Sequence, residues 1–329
     1  MPAQSDPWIN ISPSEVADMD NLRRVASTHP LEFWWGRDHK GRALLVLDIP
    51  APSTTPKYPE LAGVEISSTQ VGNGVNRLVL TLLDQDDRDI FLALCNDLLD
   101  ATDALPRDAG KEGLRVVLVR LARWQDLFRR RRDKLTLNEI IGLVGELLFM
   151  RDCLLTRISP AAAIAMWRGP YGDEQDFIVG ATILEVKTQL ATADHAILVS
   201  SEHQLDTAAA PIAVVHQILG PALPTSNQAV SLNQLVSELR NEMSTKDPSA
   251  LEPFDGALAT INYVAIPAYD EPIWLLAGRE IFRVAELFPR IVPAAIPVGI
   301  EKVRYHVRLE ACAPFRAPEE EFMREIVGA

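Results

Sequence analysis

Four side chains between residues 146 and 187 have the types and spacing of a metal-assisted hydrolytic site. Glu146 is the only charged residue among the eleven of Ile140–Met150 (IIGLVGELLFM). A helix that is apolar nearly all round is buried. A carboxylate inside it must be paired, hydrogen-bonded or bound to a cation. Downstream, Ile183–Leu190 (ILEVKTQL) reads as a strand, whose side chains alternate between faces. Ile183, Glu185, Lys187 and Gln189 share one face, and Leu184, Val186 and Leu190 share the other. Glu185 and Lys187 then lie about 6–7 Å apart along the strand. Asp176, in Gly172–Phe177 (GDEQDF), opens the apolar run Phe177–Val179 nine residues before Glu185. A tight turn at Gly180 would make the two segments a hairpin and bring Asp176 beside Glu185. Asp173 and Glu174 compete for that place. Asp176 is preferred because it leads directly into the apolar run. Converging carboxylates repel unless a cation lies between them, and hard oxygen ligands suit Mg²⁺ or Mn²⁺. Each signal alone has an ordinary explanation: a partnered structural Glu, or an edge strand with one wet face.

The elements that must hold these residues follow from periodicity. Thr136, with Glu139 three residues on, matches a capping box and starts a helix running to about Leu155. Asp176–Val179, Ile183–Leu190 and Ala196–Ser200 are short strand-like runs. Ser201–Thr207 has the length of one or two helical turns, and Pro211–Leu219 (PIAVVHQIL) suits a buried strand. The order is helix, three strands, helix, strand. Upstream, Ala43–Ile49, Gly63–Thr69 and Asn76–Leu83 read as strands and Asp87–Leu99 as a helix. An amphipathic helix spans 112–131 with Leu114, Val117, Leu118, Leu121, Trp124 and Phe128 on one face. Downstream, Leu232–Met243 and Arg279–Leu287 look helical, and Ala257–Ile266, Ile273–Ala277 and Val303–Glu310 look like strands. This divides the chain into a β-rich region 1–110, a core 111–220 that begins with the basic helix, and a mixed α/β region 221–329. The fold class is α+β.

A helix Glu, then Asp, then Glu-x-Lys in this element order resembles the PD-(D/E)XK nuclease superfamily. The chain is more closely similar to the family of uncharacterised PD-(D/E)XK motif proteins encoded beside restriction–modification and phage-defence genes. The residues that carry the resemblance are 142–150 (GLVGELLFM), 167–177 (WRGPYGDEQDF), 183–190 (ILEVKTQL) and 199–205 (VSSEHQL). No Pro directly precedes Asp176, a departure common in the superfamily. The resemblance implies a restriction-endonuclease-like core and Mg²⁺- or Mn²⁺-dependent cleavage of DNA, in restriction or defence. It assigns Asp176, Glu185 and the backbone carbonyl of Val186 as metal ligands, with Glu146 anchoring a second ion or aligning the first. Lys187 would act on the attacking water. Gln189, Arg168 and the run Arg129, Arg130, Arg131 and Arg132 are candidates for phosphate contact. Duplex cleavage generally needs two active sites, which implies a homodimer or further restriction or defence subunits. The alternative is a non-catalytic DNA-binding or assembly subunit of a defence complex.

Composition sets the outer limits. The chain has 329 residues, 47% hydrophobic and 23% charged, ordinary values for a globular protein too long for a single simple core. No stretch has the length of a membrane-spanning helix, Met1–Asn10 lacks the features of a signal peptide, and three scattered cysteines make no disulfide framework. A cytoplasmic protein with no membrane partner is expected. The net charge of −13 argues at first against nucleic acid. It is unevenly spread: about −8 over residues 1–110, about +6 over 111–170 and about −11 over 171–329. HExxH, Walker A, G-x-G-x-x-G and G-x-S-x-G patterns do not occur.

Overall fold

The computed structural model describes residues 6–328 except 18, 52–55, 73, 108, 130–133, 224 and 227, and only the backbone of 126–129. The chain forms two units, Met1–Asp133 with Val264–Ala268, and Lys134–Tyr263 with Tyr269–Ala329. Among the described residues no helix is long and apolar enough to cross a membrane.

The first unit holds β1 (Asn21–Arg24), β2 (Glu32–Arg37), β3 (Ala43–Pro50), β4 (Val64–Gly72) and β5 (Val75–Leu82) in one antiparallel sheet of order β1-β2-β3-β5-β4. Ala43–Leu47 are all buried, as expected of a strand covered on both faces. α1 (Arg88–Thr102) and α2 (Gly110–Arg129) pack on each other, and α2 also packs on β3. The apolar stripe of α2 is buried at Leu114, Val117, Leu121 and Trp124, and Trp124 Nε1 donates to Asp97 of α1 at 2.9 Å.

The second unit opens with α3 (Leu137–Phe149), whose Thr136–Glu139 capping box is formed, and continues through a π-helical turn, Met150–Leu154, to α4 (Pro160–Met166). Then come β6 (Phe177–Val179), β7 (Thr182–Leu190), β8 (Ala196–Val199), β9 (Ile212–Pro221), α5 (Leu232–Lys246), α6 (Leu251–Thr260) and β10 (Trp274–Arg283). The chain ends with β11 (Tyr305–Arg308), α7 (Leu309–Cys312), β12 (Arg316–Ala317) and α8 (Glu319–Val327). The main sheet has the order β12-β10-β9-β7-β6, with β7 and β9 parallel and its other pairs antiparallel. β8 leaves that sheet and pairs with β11. The whole is an α+β fold.

Three expectations about elements change. Ser201–Thr207 forms turns rather than a helix, so the crossover from β7 to parallel β9 runs through β8 and a turn segment. Ala257–Ile266 is not a strand: α6 begins six residues earlier and buries Phe254, Ala257 and Leu258, a helical spacing that a window starting at 257 hides. Arg279–Arg283 belongs to β10, not to a helix. Ile281 and Phe282 point to opposite faces of β10 and are both buried, Phe282 in the cluster with Ile197, Val199 and Val307, so both faces are covered and the alternation that marks a half-exposed strand is lost.

Candidate active site

α3 is pressed against β7 at Gly145. A Cβ there would collide with Thr188 of β7, so only glycine permits this approach. The Gly145 carbonyl accepts a 2.7 Å hydrogen bond from Gln217 Nε2 of β9. These contacts fix the turn of α3 that carries Glu146.

Asp176 is placed by the β6–β7 hairpin. Gly180, at φ +60°, makes the two-residue turn, and the register Val179↔Thr182, Ile178↔Ile183, Phe177↔Leu184 carries Asp176 to Glu185. Asp176 Oδ2 accepts from the Val186 N–H at 2.7 Å. Its backbone carbonyl accepts from the N–H groups of Arg168 (2.8 Å) and Gly169 (3.1 Å). The loop after α4 is thereby tied to the hairpin. A Cβ on Gly169 would lie 2.6 Å from Glu146 Oε2 and 3.4 Å from Asp176 Oδ1, so this glycine leaves the space in front of both carboxylates open. Trp167 Nε1 donates to Glu146 Oε2 at 2.6 Å.

Glu185 and Lys187 share a face of β7 as the strand period requires, and their side chains pair, Nζ to Oε1, at 2.7 Å. Gln204, from the turn after β8, joins the pair. Its Nε2 donates to Glu185 Oε1 (2.9 Å), and its Oε1 accepts from Lys187 Nζ (3.3 Å) and from the Ser200 N–H (2.8 Å). Glu185 is only 3% exposed, and its Oε2 is buried without a hydrogen-bond partner among the described residues.

Burial raises the pKa of all three carboxyls. Glu146 is pushed well above the usual carboxylate range by burial and then by the negative charge of Asp176, against the Trp167 N–H. Asp176 is pushed up to about 6 by burial, which outweighs the Val186 N–H and Lys187. Glu185 is pushed up to about 8 by burial and by Asp176, against the attraction of Lys187. Three carboxylates with one ammonium leave an excess of negative charge, which protons or a cation must offset. The donor set suits Mg²⁺ or Mn²⁺: hard oxygens, one of them orphaned, on two adjacent strands. Among the described residues no three His, Cys, Asp or Glu side chains gather closely enough to cage an ion. Two carboxylates with backbone and solvent oxygens are the ordinary requirement of Mg²⁺.

The other sequence candidates fall elsewhere. Gln189 lies on the Glu185 face but lines a separate open cleft with His195, His306 and Arg308. Arg168 pairs with Asp173 at 2.7 Å and stands over the Tyr171 ring at 5.7 Å. The side chain of Arg129 and all of Arg130, Arg131 and Arg132 lie outside the described residues. Gln204 and Trp167 carry more of the site than the sequence assigns them. Trp167 lies in the core (1% exposed) and also holds Glu146.

Neither the curated proteins nor the solved structures give a match to this chain. The family model described as "Putative PD-(D/E)XK family member" (DUF4420) matches residues 4–310, and the chain belongs to that family.

Proposed function

We propose that the protein is a metal-dependent endonuclease hydrolysing phosphodiester bonds in DNA, with a restriction-endonuclease-like core formed by α3, β6, β7 and β9. The observation that carries this reading is the meeting of Asp176, Glu185 and Lys187 where β6 begins beside β7, with a buried carboxylate oxygen lacking a partner among the described residues. Asp176 and Glu185 would hold Mg²⁺ or Mn²⁺. The N–H and C=O of a strand residue point to the same edge. The Val186 carbonyl therefore faces the side to which its N–H already donates, and it can serve as a further ligand. A divalent cation there supplies Lewis acidity toward the phosphate and lowers the pKa of water.

The chain's own residues do the rest. Glu185 and Gln204 hold the Lys187 ammonium in one place, so it meets developing phosphate charge without reorganising. From there Lys187 orients the attacking water. Trp167 fixes Glu146 beside Asp176, where its carboxyl holds a proton or aligns the cation. A role in restriction or phage defence, on duplex DNA and as a homodimer or with partner subunits, is the context the family resemblance favours.

The test is cleavage of DNA by the purified protein with Mg²⁺ and with chelator. Lys187→Ala and Asp176→Ala should each lose about a thousand-fold or more in rate with unchanged circular dichroism. Equal cleavage by the wild type and both variants overturns the assignment. DNA binding without Mg²⁺-dependent cleavage favours the non-catalytic subunit instead.

A further inference from the structure

A second cavity, of about 420 Å³, opens beside α4 and the loop that follows it. Ile164, Trp167, Arg168, Tyr171 and Pro253 line it. Its volume lies in the range of pockets that take small organic groups. Trp167 forms part of its wall, and the indole N–H of that residue holds Glu146, so cavity and site share one side chain. The next two backbone N–H groups, of Arg168 and Gly169, bind the Asp176 carbonyl. Two wall residues of the pocket, Trp167 and Arg168, are thus hydrogen-bonded directly to Glu146 and to Asp176.

Its chemistry is specific. The walls are mostly apolar. Tyr171 remains 51% exposed, an unusual position for a large ring beside an open cavity. The Arg168 guanidinium stands 5.7 Å from the centre of that ring and is held by Asp173. A pocket for phosphate would need more cations, and a purely apolar ligand would gain little from the guanidinium. A flat ring with polar edges, attached to an anion, uses every feature present.

We infer that this pocket receives an unpaired nucleobase of the strand whose phosphate lies at the carboxylates, stacked on Tyr171 beside Arg168. The identity of the ligand rests on the nuclease reading above. Bases inside a duplex have their faces covered, so only a single-stranded, frayed or flipped nucleotide can enter. The substrate class is then DNA with an unpaired nucleotide next to the scissile phosphate.

The experiment uses the full chain carrying Lys187→Ala, in Mg²⁺, with a single-stranded oligodeoxynucleotide containing 2-aminopurine and the same strand in a duplex. Adding Tyr171→Ala should weaken single-strand binding about ten-fold and remove the fluorescence quenching, while Tyr171→Phe keeps both. Duplex binding should change less than two-fold, and thermal melting checks that each variant is folded. Equal single-strand affinity with and without Tyr171, in a protein whose wild type cleaves DNA, overturns the pocket assignment and leaves the nuclease reading standing. A Tyr171-dependent single-strand affinity in a protein that cleaves nothing keeps the pocket and removes the nuclease. A wild type that binds neither strand form overturns both.

Discussion

Two buried polar clusters occupy opposite faces of the same three strands, and they are built on opposite principles. On one face the register aligns Lys187, His216 and Glu280 across β7, β9 and β10, with Glu185 next to Lys187. On the other it aligns Thr188, Gln217 and Arg279. Arg279 is 7% exposed and its donors are spread over partners: Gln217 Oε1 (2.9 Å), Cys153 Sγ (3.1 Å) and Asp152 Oδ2 (3.0 Å), with Glu319 at 3.5 Å. Gln217 passes the chain on to the Gly145 carbonyl. The Arg279 charge is met by acceptors there, although the Thr188 hydroxyl in the same row is buried without a hydrogen-bond partner among the described residues. In the Glu185 cluster three carboxyls face one ammonium, and one oxygen is left over. A network that only holds a fold together is best when complete. A site that must take up a cation has to be left short of one, and that shortage is the clearest physical sign of function here.

The contrast predicts effects of opposite sign. The largest falls on the balanced cluster. Arg279→Met leaves the buried Gln217 Oε1 without its donor, while Asp152, 28% exposed, keeps Arg151 at 2.8 Å, and a buried polar group left unpaired costs about 1–3 kcal/mol. The melting temperature should drop by about 3–10 °C, and because Gln217 would no longer be oriented toward Gly145, Mg²⁺-dependent cleavage should weaken as well. A drop under about 2 °C would show that the cluster is not the structural one.

The unbalanced cluster should respond the other way. Glu146→Gln removes one of the repelling carboxyls while its amide oxygen can still accept from Trp167. The metal-free protein should melt a few degrees higher and cleave more slowly, the exchange of stability for activity expected when an active site stores unfavourable charge. Differential scanning calorimetry in chelator, beside a cleavage assay, measures both. A destabilised Glu146→Gln would place that carboxylate among the structural groups.

These clusters were not equally legible in the sequence. Glu185 and Lys187 could be paired because a strand has a period of two, and Asp176 could be added because Gly180 marks a tight turn. Glu146 stood out as a lone charge in an apolar helix. Gln204 sits in a turn with no periodicity, and its role comes from distances that no local pattern encodes. Arg279 reads as helical because both faces of β10 are covered. Trp167 is a large apolar side chain of the kind that fills a core, but its hydrogen bond to Glu146 depends on how the loop after α4 closes. Local pattern therefore reveals residues on regular elements and misses partners delivered by turns.

Acidity gives the next test. A carboxyl whose pKa is higher in the folded chain binds its proton more tightly there, so its contribution to stability is present at low pH and is lost as pH rises through the folded value. For Glu185, pushed from the ordinary 4.5 up to about 8, the loss builds between those two values and levels off above the upper one, so the part clear of His216 titration lies between about pH 6.5 and 8. His216, pushed down to about 4 by burial, is neutral in the folded protein throughout that window. The melting temperature of the metal-free protein should fall across it. Mg²⁺ should restore more stability at the upper end than at the lower, and Glu185→Gln should flatten the slope. A wild type whose metal-free melting temperature is constant over this range would mean that the excess charge is already neutralised.

The smallest effect examines the edge of the balanced cluster. Glu319 lies in α8, beyond the family-matched residues 4–310, and reaches Arg279 only at 3.5 Å with its side chain 35% exposed. A half-wet ion pair contributes about 0–1 kcal/mol. α8 has other attachments: Arg283 to Glu325 (2.5 Å), Arg157 to Glu320 (2.7 Å), and buried Phe322 and Met323. Glu319→Gln should therefore shift the melting temperature by no more than about 2 °C and leave cleavage unchanged, since Asp152 still faces the guanidinium. If it matched Arg279→Met instead, the Arg279 charge would depend on α8 for its balance. The structural cluster would then extend through a segment that the family model does not reach.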